Sequence, residues 1–197
     1  MDPRNKWLQQ HSSSLIQPGS ASSSRITITI FAFHSPPQSD QLGGKPMSQA
    51  KYNQRTDTNI NGLQPDFADR VRQWLAEARR QGLNPYIHFG ARSIEKQKEL
   101  HDDFVNHGGP RAVAPERSYH CYGRAFDWVN ISDSDGGDDG LDWDNDRAYT
   151  KGEELARQFK IRGIGAGDND HLQDENFPTF ADLRQSEFGQ FPSTALV

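Results

Sequence analysis

One cysteine, Cys121, is all that 197 residues contain, so no disulfide can close within the chain and its stability must come from packing. Long apolar runs are also missing. No stretch approaches the roughly 18 residues of a membrane span. The amino terminus, Met1-Asp-Pro-Arg-Asn-Lys-Trp7, lacks the apolar core of a secretory signal, so export is expected to use another route. Basic residues are in deficit: 22 Lys and Arg against 27 Asp and Glu give a net charge of -5. That balance argues against a general affinity for nucleic acid or anionic membrane, since neither surface attracts the average field of this chain.

What the chain does contain is uneven. A hydrophobic fraction of 33% and a mean hydropathy of -0.89 are low for a polypeptide packed throughout, which predicts one domain with a polar appendage. Residues 1–60 supply the appendage: a largely disordered arm rich in Ser, Gln and Pro, interrupted by one alternating stretch over 25–33 with the period of a strand. Residues 35–60 read as polar linker, and ordered structure is expected from Leu63 onward, in a domain over 61–190.

Within that domain, Pro65 suits a first helical turn, and Phe67, Val71, Trp74, Leu75 and Ala78 recur at helical spacing before Gly82. Tyr86-Ile-His-Phe-Gly90 reads as a short strand. Ser93 can cap a second helix that stops at Gly108-Gly109-Pro110. A third helix carries Leu155, Ala156 and Phe159 and is expected to end at Gly163-Ile-Gly-Ala-Gly167. That glycine run has neither the Lys-Ser/Thr pair of a P-loop nor a helix opening after it, so a phosphate cradle is rejected. A strand with His171 and a short closing helix over 177–183 complete the pattern. Asp142, Asp144, Asp146 and Glu153 fall at calcium-loop spacing, but Arg147 stands where such a loop needs glycine, and an acidic helix start is the preferred reading.

The stretch most informative about chemistry is Ser118-Tyr-His-Cys-Tyr-Gly-Arg-Ala-Phe-Asp127. His120 offers an imidazole nitrogen and Asp127 a carboxylate oxygen, and His171 can complete a two-histidine, one-carboxylate set that suits zinc. Such a set leaves one tetrahedral position for water, whose pKa zinc lowers toward about 7. Asp168 and Asp170 both lie close enough in sequence to act as base. Cys121 beside His120 invites a thiolate scheme, disfavoured because neighbouring residues rarely orient for that proton transfer.

At these residues the chain resembles the zinc D-alanyl-D-alanine metallopeptidases and their relatives among phage endolysins that cut peptidoglycan stems. Ser118, His120, Gly123, Ala125 and Asp127 match that family's Ser-x-His-x-x-Gly-x-Ala-x-Asp motif, and Asp168 with His171 matches its second motif. The resemblance implies an α+β domain, a small, mostly antiparallel sheet with helices packed on one side and zinc in an open cleft. It implies His120, Asp127 and His171 as metal ligands, Asp168 as catalytic base and Arg92 as the donor to the oxyanion. Ser118 and Gln97 would contact substrate. The implied partner is the peptidoglycan stem peptide, met by a monomer on the cell wall after phage-type release or non-classical export. Asp rather than Glu at the base position favours an L-alanyl-D-glutamate endopeptidase. A D-alanyl-D-alanine peptidase, or a wall-peptide-binding module without catalysis, are the alternatives.

Overall fold

The computed structural model describes residues 47–132, 140–165 and 167–185; the strand expected over 25–33 lies outside them, as do residues 133–139 of the acidic loop. The first helix begins earlier than composition predicts. Helix α1 spans Gln49–Asn61, capped by the Ser48 side chain, within the stretch expected to be linker. It has almost no apolar stripe. Instead, the Thr56 hydroxyl accepts from the Ile87 N–H at 3.2 Å and the Asn59 amide donates to the Ile87 carbonyl at 2.9 Å. These polar side chains pair with strand β1 (Pro85–Phe89) at the edge of the sheet, where a further strand would otherwise bond.

The other helices follow their sequence signals. Helix α2 (Pro65–Arg80) starts on Pro65, and the chain leaves it through Gly82 at φ 85°. Helix α3 (Ile94–His107) takes its cap from Ser93 and stops at Gly108 in the left-handed region. Helix α4 (Asp146–Ala156) is capped by Asn145, so the chain is already helical at the fifth position of the possible calcium loop, in keeping with an acidic helix start. The glycine run does not end this helix, contrary to expectation. After a 3-10 turn over Arg157–Phe159, Lys160 adopts φ 58° and turns the chain directly into strand β4 (Ile161–Gly163). Helix α5 (Phe180–Arg184) closes the domain with a Thr179–Asp182 capping box.

All strand pairings among the described residues are antiparallel. The order is β1, β2 (Ala125–Ile131), β5 (His171–Asp174), β4, with β3 (Leu141–Asp142) also on β2. Side chains alternate across a strand, so β2 sends Phe126 and Trp128 to one face and Ala125, Asp127 and Val129 to the other. Phe126 and Trp128 join Phe67, Val71 and Trp74 of α2 and Tyr149 and Leu155 of α4 in the main core. The architecture is therefore α+β, with α2 and α4 on one face and the opposite face left for His171 and Asp127, which are directly opposed in the β2–β5 register.

Trp74 anchors this core. It is fully buried, its ring meets Phe126 and Trp128 at 5.1 and 5.3 Å, and its indole N–H donates to the Gly152 carbonyl at 2.9 Å. Trp74→Ala leaves a cavity and removes the indole donor from the Gly152 carbonyl, and is expected to cost about 3–5 kcal/mol, measured by urea unfolding. A loss below about 1 kcal/mol would mean that the cluster is not the core. At the sheet's other end, Asp174 is fully buried and accepts from Arg70 at 2.6 Å and Arg124 at 2.9 Å. This pair of guanidinium contacts ties α2 to the end of β5.

Candidate metal centre

His120 sits on a 3-10 turn, Tyr119–Tyr122, that runs into β2. The turn closes because Gly123 takes φ 62°, a conformation that a side chain disfavours, which explains the glycine three positions after the histidine. Asp127 then lies on the first half of β2 and His171 on the start of β5. His120 Nε2, Asp127 Oδ1 and His171 Nδ1 form a triangle with edges of 3.2, 3.0 and 3.2 Å. Ligand bonds of about 2.0–2.1 Å at a tetrahedral ion imply edges of about 3.3 Å, so this triangle matches within a few tenths of an ångström.

Outer contacts fix which nitrogens face inward. His120 Nδ1 donates to the Gly90 carbonyl at 2.7 Å, and His171 Nε2 donates to Gln173 Oε1 at 3.2 Å. Each ring thereby points an unprotonated nitrogen at the Asp127 carboxylate. With both rings neutral in these tautomers, the three inward atoms are all acceptors. Such a group is unfavourable unless a proton or a cation sits between its members. Burial opposes charge on His171, yet Asp127 outweighs it and raises its pKa, so a proton can serve when no metal is bound. Burial lowers the pKa of His120, keeping it neutral despite Asp127. Asp127 is held well below the usual carboxylate range because His120 and His171 together overcome its desolvation. Among the described residues, only these three bring three possible ligand atoms within 4.8 Å of one another.

The remaining sequence-predicted residues surround this cluster. Arg92 places Nη2 3.5 Å from Asp127 Oδ2, while its Nη1 donates to Gln97 Oε1 at 2.8 Å. Gln97 is only 2% exposed, accepts also from the Ser118 hydroxyl at 3.1 Å and donates to the Val113 carbonyl at 2.8 Å. Its amide is thus committed to holding Arg92 and Ser118, both of which it joins into one unit. Asp168 lies at the surface but is walled by protein on its inner side. That desolvation, eased by His171 and reinforced by the negative charge of Asp127 and Asp170, raises its pKa to about 6. Asp170 turns toward His88, 3.6 Å away. Cys121 is 1% exposed and burial pushes its thiol up to about 11, which removes the thiolate scheme.

Sequence reasoning missed Gly90, Gln173 and the His88–Asp170 contact. A backbone carbonyl leaves no side-chain signature, but the glycine itself was a signal. A Cβ at Gly90 would meet the Asn59 carbonyl oxygen at 2.4 Å, so only glycine lets α1 press this segment against His120.

No family model and no curated protein matches the sequence. Among solved structures, the L-Ala D-Glu endopeptidase ChiX of Serratia marcescens is similar over 66% of this chain and 90% of its own, at 22% identity and a TM-score of 0.47. The LdcB LD-carboxypeptidase is similar over 65% of this chain and 67% of its own, at 16% identity and a TM-score of 0.47. Neither likeness transfers a residue or an activity at this distance. Among the described residues, no helix is long and apolar enough to cross a membrane.

Proposed function

We propose that the protein is a zinc-dependent hydrolase of peptidoglycan stem peptides, acting on the L-alanyl-D-glutamate bond. The observation that carries the reading is the convergence of His120 Nε2, Asp127 Oδ1 and His171 Nδ1 to within 3.0–3.2 Å of one another. Two nitrogens and one carboxylate oxygen make a donor set that suits zinc. When bound there, zinc supplies Lewis acidity at neutral pH.

The chain's own groups then perform the proton and charge work. As carboxylate, Asp168 takes a proton from the water that attacks the scissile carbonyl, and it returns that proton to the leaving amine as the C–N bond breaks. Arg92, clamped by Gln97, offers N–H donors to the oxygen that gains charge on the way. Substrate class comes from the Ser118–Asp127 and Asp168–His171 motif resemblance, and the bond from Asp at position 168.

The protein supplied with zinc is expected to release new amino termini from purified bacterial walls, and a chelator to stop the release. Mass analysis should find new ends at D-glutamate. Loss of terminal D-alanine alone would reassign the bond, and no release at any zinc concentration would sink the hydrolase.

A further inference from the structure

Strand β1 carries one residue too many. Its pairing with β2 runs from Ile87 with Trp128 directly to Phe89 with Asp127, so His88 is the extra residue of a β-bulge beside the candidate ligand Asp127. A bulge breaks the alternation of a strand and re-aims the side chain it carries. The His88 ring is held where it points, its centroid 4.6 Å from that of Phe89 and, edge-on, 5.0 Å from that of Trp143. Asp170 reaches the same level from the other side of β2, because its carbonyl accepts from the Trp128 N–H at 3.0 Å. The two side chains meet across the strand that bears Asp127, with His88 Nε2 3.6 Å from Asp170 Oδ2.

That nitrogen is buried and has no hydrogen-bond partner, although buried polar groups are normally paired. At 3.6 Å its contact with Asp170 is longer than a hydrogen bond, as contacts around a catalytic centre often are before metal and substrate are in place. Asp170 needs such a partner. Its charge adds to the desolvation that raises the pKa of Asp168, so two carboxylates stand close together. Among the described residues, His88 is the only basic side chain within 4.0 Å of Asp170.

A second carboxylate left free here has somewhere to go. Asp170 immediately precedes His171, and its oxygens suit the same ion as the three converging residues. A catalytic zinc site keeps one position open, whereas a fourth protein ligand makes it a closed, structural one. We propose that His88 is a positioning residue that holds the Asp170 carboxylate away from the metal and so keeps the fourth position open for the water on which Asp168 acts, an inference that rests on the zinc hydrolase reading above.

The test compares the parent with His88→Phe and His88→Gln, each as the full chain loaded with zinc or cobalt. Phe keeps a ring between Phe89 and Trp143 but deletes the nitrogen, and Gln keeps an N–H donor. In His88→Phe, zinc affinity measured against a competing chelator should rise about tenfold. Azide, which enters an open position and shifts the visible bands of bound cobalt, should bind about tenfold more weakly. On a stem peptide kcat/KM should fall by the same factor, because one closed state accounts for all three changes. His88→Leu, which also lacks the nitrogen, should give the same signs, and His88→Gln should resemble the parent. Adding Asp170→Asn to His88→Phe should restore azide binding. A histidine that only packs gives the opposite sign, with zinc held more loosely in His88→Phe. That result, unchanged azide binding, or a defect that persists with Asp170→Asn would overturn the role of His88. The expected azide pattern without wall cleavage would leave that role standing and sink the hydrolase; cleavage by a parent whose azide binding ignores His88 would do the reverse. A parent that takes up neither metal would sink both.

Discussion

Asp168→Asn is expected to slow wall-peptide hydrolysis by about 10²- to 10⁴-fold while zinc uptake stays intact. The substitution keeps the size but exchanges one acceptor oxygen for an N–H donor and removes the base, and Asp168 is not one of the three converging residues. Its pH signature is equally specific. Partial burial, against the pull of His171 and with the push of Asp127 and Asp170, sets its pKa at about 6. The base is the carboxylate, so the wild-type rate should fall as pH drops through that value. A dication at the neighbouring cluster favours the carboxylate and moves the limb lower. Initial rates on walls between about pH 4 and 8 should show this limb in the parent and none in the variant. An unaltered rate in Asp168→Asn would shift the role to Asp170, whose carboxylate instead stands 3.6 Å from His88.

His120→Ala should abolish metal retention and reduce hydrolysis to background. His120 is 4% exposed, and its inward nitrogen supplies two of the triangle's three edges. Removing it leaves two donors, and zinc affinity should fall by well over the roughly 100-fold that loss of an outer-shell partner costs. The measurement is bound zinc per chain after dialysis, with circular dichroism to establish that the fold persists. Zinc held at the parent level by a folded His120→Ala chain would sink the assignment of this ligand.

How far the sequence could be read depended on what kind of contact each element makes. Helices α2, α3 and α4 were legible because their starts carry Pro65, Ser93 and an acidic first turn, and because α2 and α4 bury apolar faces with helical spacing. Helix α1 was not legible. Of its buried residues, only Tyr52 and Ile60 are apolar, and Thr56 and Asn59 dock through hydrogen bonds that no hydropathy pattern registers. The candidate metal cluster showed the same division. His120, Asp127 and His171 were found from residue chemistry and motif spacing, whereas the acceptors that orient them, the Gly90 carbonyl and Gln173, depend on strand register and chain path. The resemblance implied a substrate contact for Gln97; in the fold the residue is 2% exposed and its amide accepts from the Arg92 guanidinium at 2.8 Å, a bracing role that the motif alone did not suggest.

The pinch at Gly90 has a bearing on where a shortened version of this protein can be cut. Asn59 presses on one side of that residue and His120 hangs from the other, so the imidazole's aim is inherited from a segment some sixty positions upstream. Trimming to Leu63, where the hydropathy first suggests a domain, would bare an unpaired sheet edge and take away the backstop of the candidate ligand His120 together.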